Sequence, residues 1–176
     1  MVLDDVNARA QELMRSERWE LAIELIEQVP MEARSADLNW NHGWALFKLD
    51  RFERAAQSLR RAVLQRSTHA VSHWALGVVL QAAGDPVAAE KHLRTALSLR
   101  DSGLARLSLA VMYMEQGRLD EAERIHVEGL ELKPDDKQRV EAYADFLSDC
   151  GREPEARVQY ARAAELPEKP SRKRGS

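Results

Sequence analysis

A single cysteine, Cys150, stands in 176 residues. No internal disulfide can form, so a reducing compartment, the cytoplasm, is the simplest expectation. No apolar run approaches the ~20 residues that a bilayer requires. The opening Met1-Val2-Leu3-Asp4-Asp5 lacks the basic and then apolar stretches of a secretory signal. A basic excess is missing too: the net charge of −3 offers no field to attract nucleic acid or an anionic membrane. No segment alternates with period two, so no strand is expected. The sequence holds no phosphate loop, dinucleotide fingerprint or serine elbow. Acid pairs such as Asp135-Asp136 fall in a turn between helical patterns. No enzyme is expected, and no catalytic residue, cofactor or metal is assigned. What remains, at 44% hydrophobic and 31% charged residues, fits an ordinary soluble globular chain.

The positive signal is repetition. Small residues recur at Ala22, Ala55, Ala89, Ala122 and Ala156, with gaps of 33, 34, 33 and 34. A second small column, Ala10, Gly43, Gly77, Ala110 and Ala144, keeps the same gaps. Large residues follow three positions later, at Leu13, Leu46, Leu80, Tyr113 and Leu147. A fourth column holds Ile26, Leu59, Leu93, His126 and Tyr160. Small residues let two helices cross closely, and large neighbours fill the groove beside the crossing.

The scarce glycines and prolines punctuate this pattern. Gly84, Gly117 and Gly151 each lie one residue past a helical segment, as a left-handed C-terminal cap requires. Asp50 and Glu17 replace glycine in the first two copies, so those turns should be less favourable. Pro86 and Pro154 fall where second helices begin, Pro134 where one ends, and Pro30 cuts the first copy's second helix short.

These residues resemble the tetratricopeptide repeat over nearly the whole chain. The fourth copy is nearest the pattern, with Leu109-Ala110, Tyr113, Gly117-Arg118, Asp120-Glu121-Ala122, Gly129-Leu130, Leu132 and Pro134. The resemblance implies an all-α fold, a right-handed α-solenoid of five helix-turn-helix repeats. They are placed at 3–35, 36–69, 70–102, 103–136 and 137–170 in a single domain 3–170, with 171–176 a basic disordered tail. Asn39 and His42 stand where the family prefers bulky apolar residues, so the second copy's helix phase is open by one residue. The family's polar closing helix is missing, so the last helix caps the stack itself or the chain is one piece of a longer polypeptide.

In this family the first helices of successive repeats line a concave face. Transferred copy by copy, the groove begins with Asn7, Gln11 and Met14. It continues through Trp40, Trp44, Phe47 and Lys48, then Val71, Trp74, Val78 and Gln81, then Leu104, Leu107, Val111, Met114 and Glu115. It ends with Gln138, Glu141, Asp145, Ser148 and Asp149. Three of the four tryptophans thus share one wall. A buried aromatic covers about 150–250 Å², roughly 4–6 kcal/mol gross at ~25 cal/mol per Å², whereas an exposed ion pair gives about 0–1 kcal/mol. The expected partner is a protein or peptide with apolar anchors, such as an amphipathic helix, and a basic flank facing the acidic end. Two other readings stay open: the indoles pack between repeats, or the apolar face is buried in a homo-oligomer or serves as the arm of a larger protein.

Other signals weigh less. The family's clamp for acidic C-termini needs charged residues where this chain has Gln11, Val71 and Ala75, and only Asn7 and Asn41 fit. His69 and His73 are spaced i, i+4 but lack a third ligand nearby, so a helix-start pair with His73 partly packed is the simpler reading. His126 reads as a core histidine with a hydrogen-bond partner, and Cys150 as a packed thiol. Ser171-Arg172-Lys173-Arg174 reads as solvated charge. Helical-repeat readers of RNA are disfavoured by the acidic end.

Overall fold

The computed structural model describes residues 3–167. Ten α-helices follow one another, with no strand among the described residues. They are α1 (Leu3–Arg15), α2 (Trp19–Glu27), α3 (Ala36–Phe47), α4 (Phe52–Gln65), α5 (Ala70–Ala82), α6 (Pro86–Leu99), α7 (Gly103–Glu115), α8 (Leu119–Leu132), α9 (Lys137–Asp149) and α10 (Glu153–Glu165). A single 3-10 turn, Met31–Ala33, fills the longer connection after Pro30. None of the described helices is long and apolar enough to cross a membrane. The chain divides into two compact units, Met1–Ala105 and Arg106–Ser176. The residues 171–176 expected to form a basic tail lie outside the described part.

One turn is built five times. The backbone N–H of Arg18, Arg51, Asp85, Arg118 and Arg152 donates to the carbonyl of Leu13, Leu46, Leu80, Tyr113 and Leu147, over 2.8–3.0 Å. Those acceptors are the large-residue column. The residue before each donor takes a left-handed φ: +80° at Gly84, +71° at Gly117, +74° at Gly151, but +57° at Glu17 and +56° at Asp50. Its N–H closes the tighter bond to the carbonyl three residues back. This is the Schellman arrangement, in which orphan carbonyls at the helix end find donors. At Glu17 and Asp50 a side chain is held where glycine would be unstrained.

The small columns mark close crossings. A Cβ built on Gly43 would lie 2.6 Å from Leu59 Cγ and 3.0 Å from the Ala55 carbonyl oxygen. On Gly77 it would lie 2.7 Å from Leu93 Cγ. Ala22, Ala55, Ala89, Ala122 and Ala156 are fully buried. In the fourth column Ile26, Leu59 and Leu93 are buried and His126 nearly so, but Tyr160 is 41% exposed. The Tyr160 hydroxyl instead donates to Asp145 Oδ1 at 2.6 Å, so this member of the column acts as a hydrogen-bond donor.

The second repeat keeps its phase despite its polar residues, because each finds a partner. Asn39 Nδ2 donates to Gln65 Oε1 at 3.0 Å and to the Arg34 carbonyl at 3.3 Å. His42 lies 2.9 Å from Ser58 Oγ and 3.2 Å from Glu27 Oε1. Burying a polar group is tolerable when its hydrogen bonds are made. Ser35 and Asp85 cap α3 and α6, their side-chain oxygens accepting from Leu38 and Ala88 N–H, with Pro86 at the first turn of α6.

Candidate functional site

Spacing of four residues sets Trp40 and Trp44 one turn apart on α3. Their rings stack at 5.7 Å with planes 12° apart. Trp74 of α5 meets Trp44 at 5.3 Å, and Phe47 meets Trp44 at 5.1 Å. Trp44 therefore bridges the first helices of adjacent repeats, while all three indoles stay half-buried. Packing between repeats and lining an open hollow are both properties of this cluster. Trp40, Trp44, Met14 and Gln11 border a cavity of about 340 Å³ together with Arg15, Asn41 and Trp19. Lys48 Nζ sits 5.8 Å from the Trp44 ring centre and 6.0 Å from that of Trp19, within cation–π range. The Trp40 indole N–H is buried without an acceptor among the described residues.

Trp19 was not among the expected residues. It is the first residue of α2, and the expectation drew only on first helices. The signal available was its place one residue past the turn that ends at Arg18, where a second helix begins beside the neighbouring first helix.

Further along the same unit, Val71, Trp74 and Leu104 border a cavity of about 280 Å³ with Ala96, Arg100, Asp101 and Ser102. Leu104 is 60% exposed and Val71 39%. Phe47 and Val78 line neither cavity; Phe47 packs on Phe52 at 6.0 Å and on Trp44. The Asn41 amide donates to Asn7 Oδ1 at 2.7 Å, so the two clamp-like asparagines satisfy each other.

In the second unit, Leu107, Val111 and Met114 of α7 face Glu141, Asp145 and Asp149 of α9 across a cavity of about 240 Å³. Asp145 is engaged by Tyr160, whose hydroxyl is pushed up to about 12, chiefly by that hydrogen bond. His126 lies beneath, 5.1 Å from Phe146 and 6.0 Å from Tyr143, ring centre to ring centre. The hydrogen-bond partner expected for His126 is absent among the described residues; aromatic rings surround it instead. Burial lowers its pKa to about 4, so it is neutral at pH 7.

Two tetratricopeptide-repeat family models match the sequence, one over residues 7–70 and the other over 80–144. The chain belongs to the tetratricopeptide-repeat family. No curated protein matches it. Among solved structures, "MamA 41-end from Desulfovibrio magneticus RS-1" is similar, with 16% identity and a TM-score of 0.73 over 93% of this chain and 94% of that one. "MamA AMB-1 P212121" shares 23% identity and a TM-score of 0.68, covering 93% of this chain and 91% of its own. At these identities the likeness is one of fold. The tetratricopeptide repeat is a protein-interaction scaffold, and the fold of this chain is of that kind.

The remaining candidates of this tetratricopeptide chain are structural in their surroundings. His73 Nδ1 lies 3.0 Å from His92 Nδ1, and its Nε2 donates to the Ser67 carbonyl at 3.0 Å. His69 Nδ1 sits 2.8 Å from Ser72 Oγ. No group of three or more potential ligands is placed to hold a metal among the described residues. Cys150 is half-buried, and burial pushes its thiol pKa up, which lowers its reactivity.

Proposed function

We propose that the aromatic hollow of the first unit receives the apolar anchors of a peptide or amphipathic helix. The observation that carries this reading is the convergence of Trp19, Trp40, Trp44 and Met14 on one open cavity, with Trp74 bordering the next. Aromatic rings supply large contact area at small cost in conformational freedom, and methionine adapts to varied shapes. Lys48 over two of the rings favours an acceptor or an acidic group beside the anchor. The second unit's hollow combines aliphatic side chains with Glu141 and Asp149, so it suits a segment with one apolar and one basic side chain.

Selection from a displayed peptide library tests the reading. Peptides enriched on the intact chain should carry bulky apolar residues, and Trp40→Ala should lose them while its circular dichroism is unchanged. Enrichment that survives Trp40→Ala and Trp19→Ala together refutes the aromatic hollow. Self-association is a second reading, favoured by the exposure of Val71 and Leu104 at 39% and 60%. Light scattering decides it: a dimer that dissociates on Leu104→Asp supports assembly through this face.

A further inference from the structure

On α3, His42 lies two residues from both Trp40 and Trp44, about 200° around the helix, and so on its opposite side. There the end of α2, the 3-10 turn and α4 enclose a cavity of about 370 Å³. Its charged lining is three guanidinium groups, Arg34, Arg54 and Arg61, against one carboxylate, Glu27. Glu27 is already taken: Arg54 donates to its Oε1 at 2.5 Å and His42 approaches the same oxygen at 3.2 Å. Burial would raise the Glu27 pKa, but these bonds and the Arg54 charge carry it below the ordinary carboxylate range, so it is ionised. Burial holds His42 below the ordinary histidine range, with Arg34 adding to the effect, so it contributes no charge.

Arg34 and Arg61 are left over. Neither has a carboxylate within 4.0 Å among the described residues. Arg34 is only 8% exposed, and its Nε donates to the Val29 carbonyl at 2.9 Å. Its terminal nitrogens have no protein acceptor among the described residues. Gln65 and Asn39 hold its carbonyl, so the residue is fixed. Glu32, on the neighbouring turn, is exposed and does not line the space. Burial pushes the Arg34 pKa below the ordinary arginine range and Arg61 adds to the effect, while Glu27 and Glu32 offset it only through space, so a directly bound anion would relieve the site.

We propose that this cavity is an anion site, distinct from the aromatic hollow, that binds a phosphate-monoester dianion between Arg34 and Arg61. With three guanidinium groups against Glu27, the lining has a net charge of two positive, which a phosphate monoester matches at about −1.5 to −2 and a single carboxylate does not. Guanidinium forks bind phosphate oxygens in pairs, and Arg34 is held ready with its fork unoccupied.

Calorimetric titration of the intact chain with inorganic phosphate, a phosphoserine peptide and acetate tests the site. Phosphate or the phosphopeptide should bind below about 10 mM, with acetate about tenfold weaker or more. Arg61→Gln should weaken the phosphate probes about tenfold without moving the melting temperature, because among the described residues Arg61 has no hydrogen-bond or ion-pair partner to lose. Arg34→Lys should also weaken them, since it keeps the charge and removes the fork. Trp40→Ala should leave them unchanged, which separates this site from the hollow. Tighter binding of the phosphopeptide supports the site with a protein-borne phosphate as its source; tighter binding of inorganic phosphate supports it with a free one. No binding of either, acetate equal to phosphate, or Arg61→Gln equal to the intact chain would overturn the proposal.

Discussion

The hollows of the two units are made by the same turn and the same helix pairing, yet they offer opposite chemistry. In the first, α3 and α5 present Trp40, Trp44 and Trp74, whose rings rest on one another. In the second, α7 and α9 present Leu107, Val111 and Met114 against Glu141 and Asp149. The difference lies mainly in positions outside the repeated columns, with His126 and Tyr160 of the fourth column adding to it in the second unit. Columns hold helices together through burial and close crossing, so they tolerate few residue types. Positions one step around the helix lie outside the close crossings, and there the two units diverge.

The sharpest break of this comparison is Trp44→Ala set against Leu107→Ala. Trp44 contacts three aromatic rings, so its loss should cost about 2–4 kcal/mol in urea denaturation. Leu107 is 47% exposed and should cost under about 1 kcal/mol. Equal losses would mean that the aromatic cluster is a surface decoration rather than a joint between repeats.

Acid should separate the units next. The folded His126 pKa of about 4 lies below the ordinary 6.5, so the unfolded chain binds the extra proton. Stability from this site is complete above about pH 6.5 and is lost as pH falls toward 4, by up to roughly 3 kcal/mol. His126→Leu should remove this loss from the second unit. The first unit keeps its own acid sensitivity through His42 and His92, both also lowered, chiefly by burial. Denaturation followed between pH 7 and 4 checks both.

Gly77→Ala against Ala110→Gly compares one column across the units. The alanine would press on Leu93 from 2.7 Å and should cost about 1–3 kcal/mol. The reverse change should cost about 0.5–1 kcal/mol through helix propensity and lost contact. The smallest effect is a gain: Asp50→Gly or Glu17→Gly should stabilise by about 0.5–1 kcal/mol by relieving a left-handed side chain. Gly117→Ala in the second unit should lose a similar amount, and thermal melts of the three variants check the signs.

The five turns were legible in the sequence because a left-handed cap and the carbonyl it serves recur at a constant offset. The two exceptions, Glu17 and Asp50, were legible as strained for the same reason. Asn39 and His42 were harder, since their partners Gln65, Ser58 and Glu27 lie 15 to 26 residues away. No local pattern announces such bonds. Tyr160 and His126 share a column with Ile26 and Leu93 but differ in surroundings, because the residues facing them come from another helix. Trp19 was missed for its position on a second helix.

By itself, then, the sequence determined the number of helix pairs, their turns, their close crossings and the family to which the chain belongs. All of these follow from contacts within a few turns of the chain, repeated at a fixed period. Only the tertiary structure decided which indoles lean on one another, which asparagines cancel each other, and that Arg34 and Arg61 face a shared space with one occupied carboxylate. Those outcomes depend on side chains brought together from different helices, and their spacing in the sequence carries no record of the meeting.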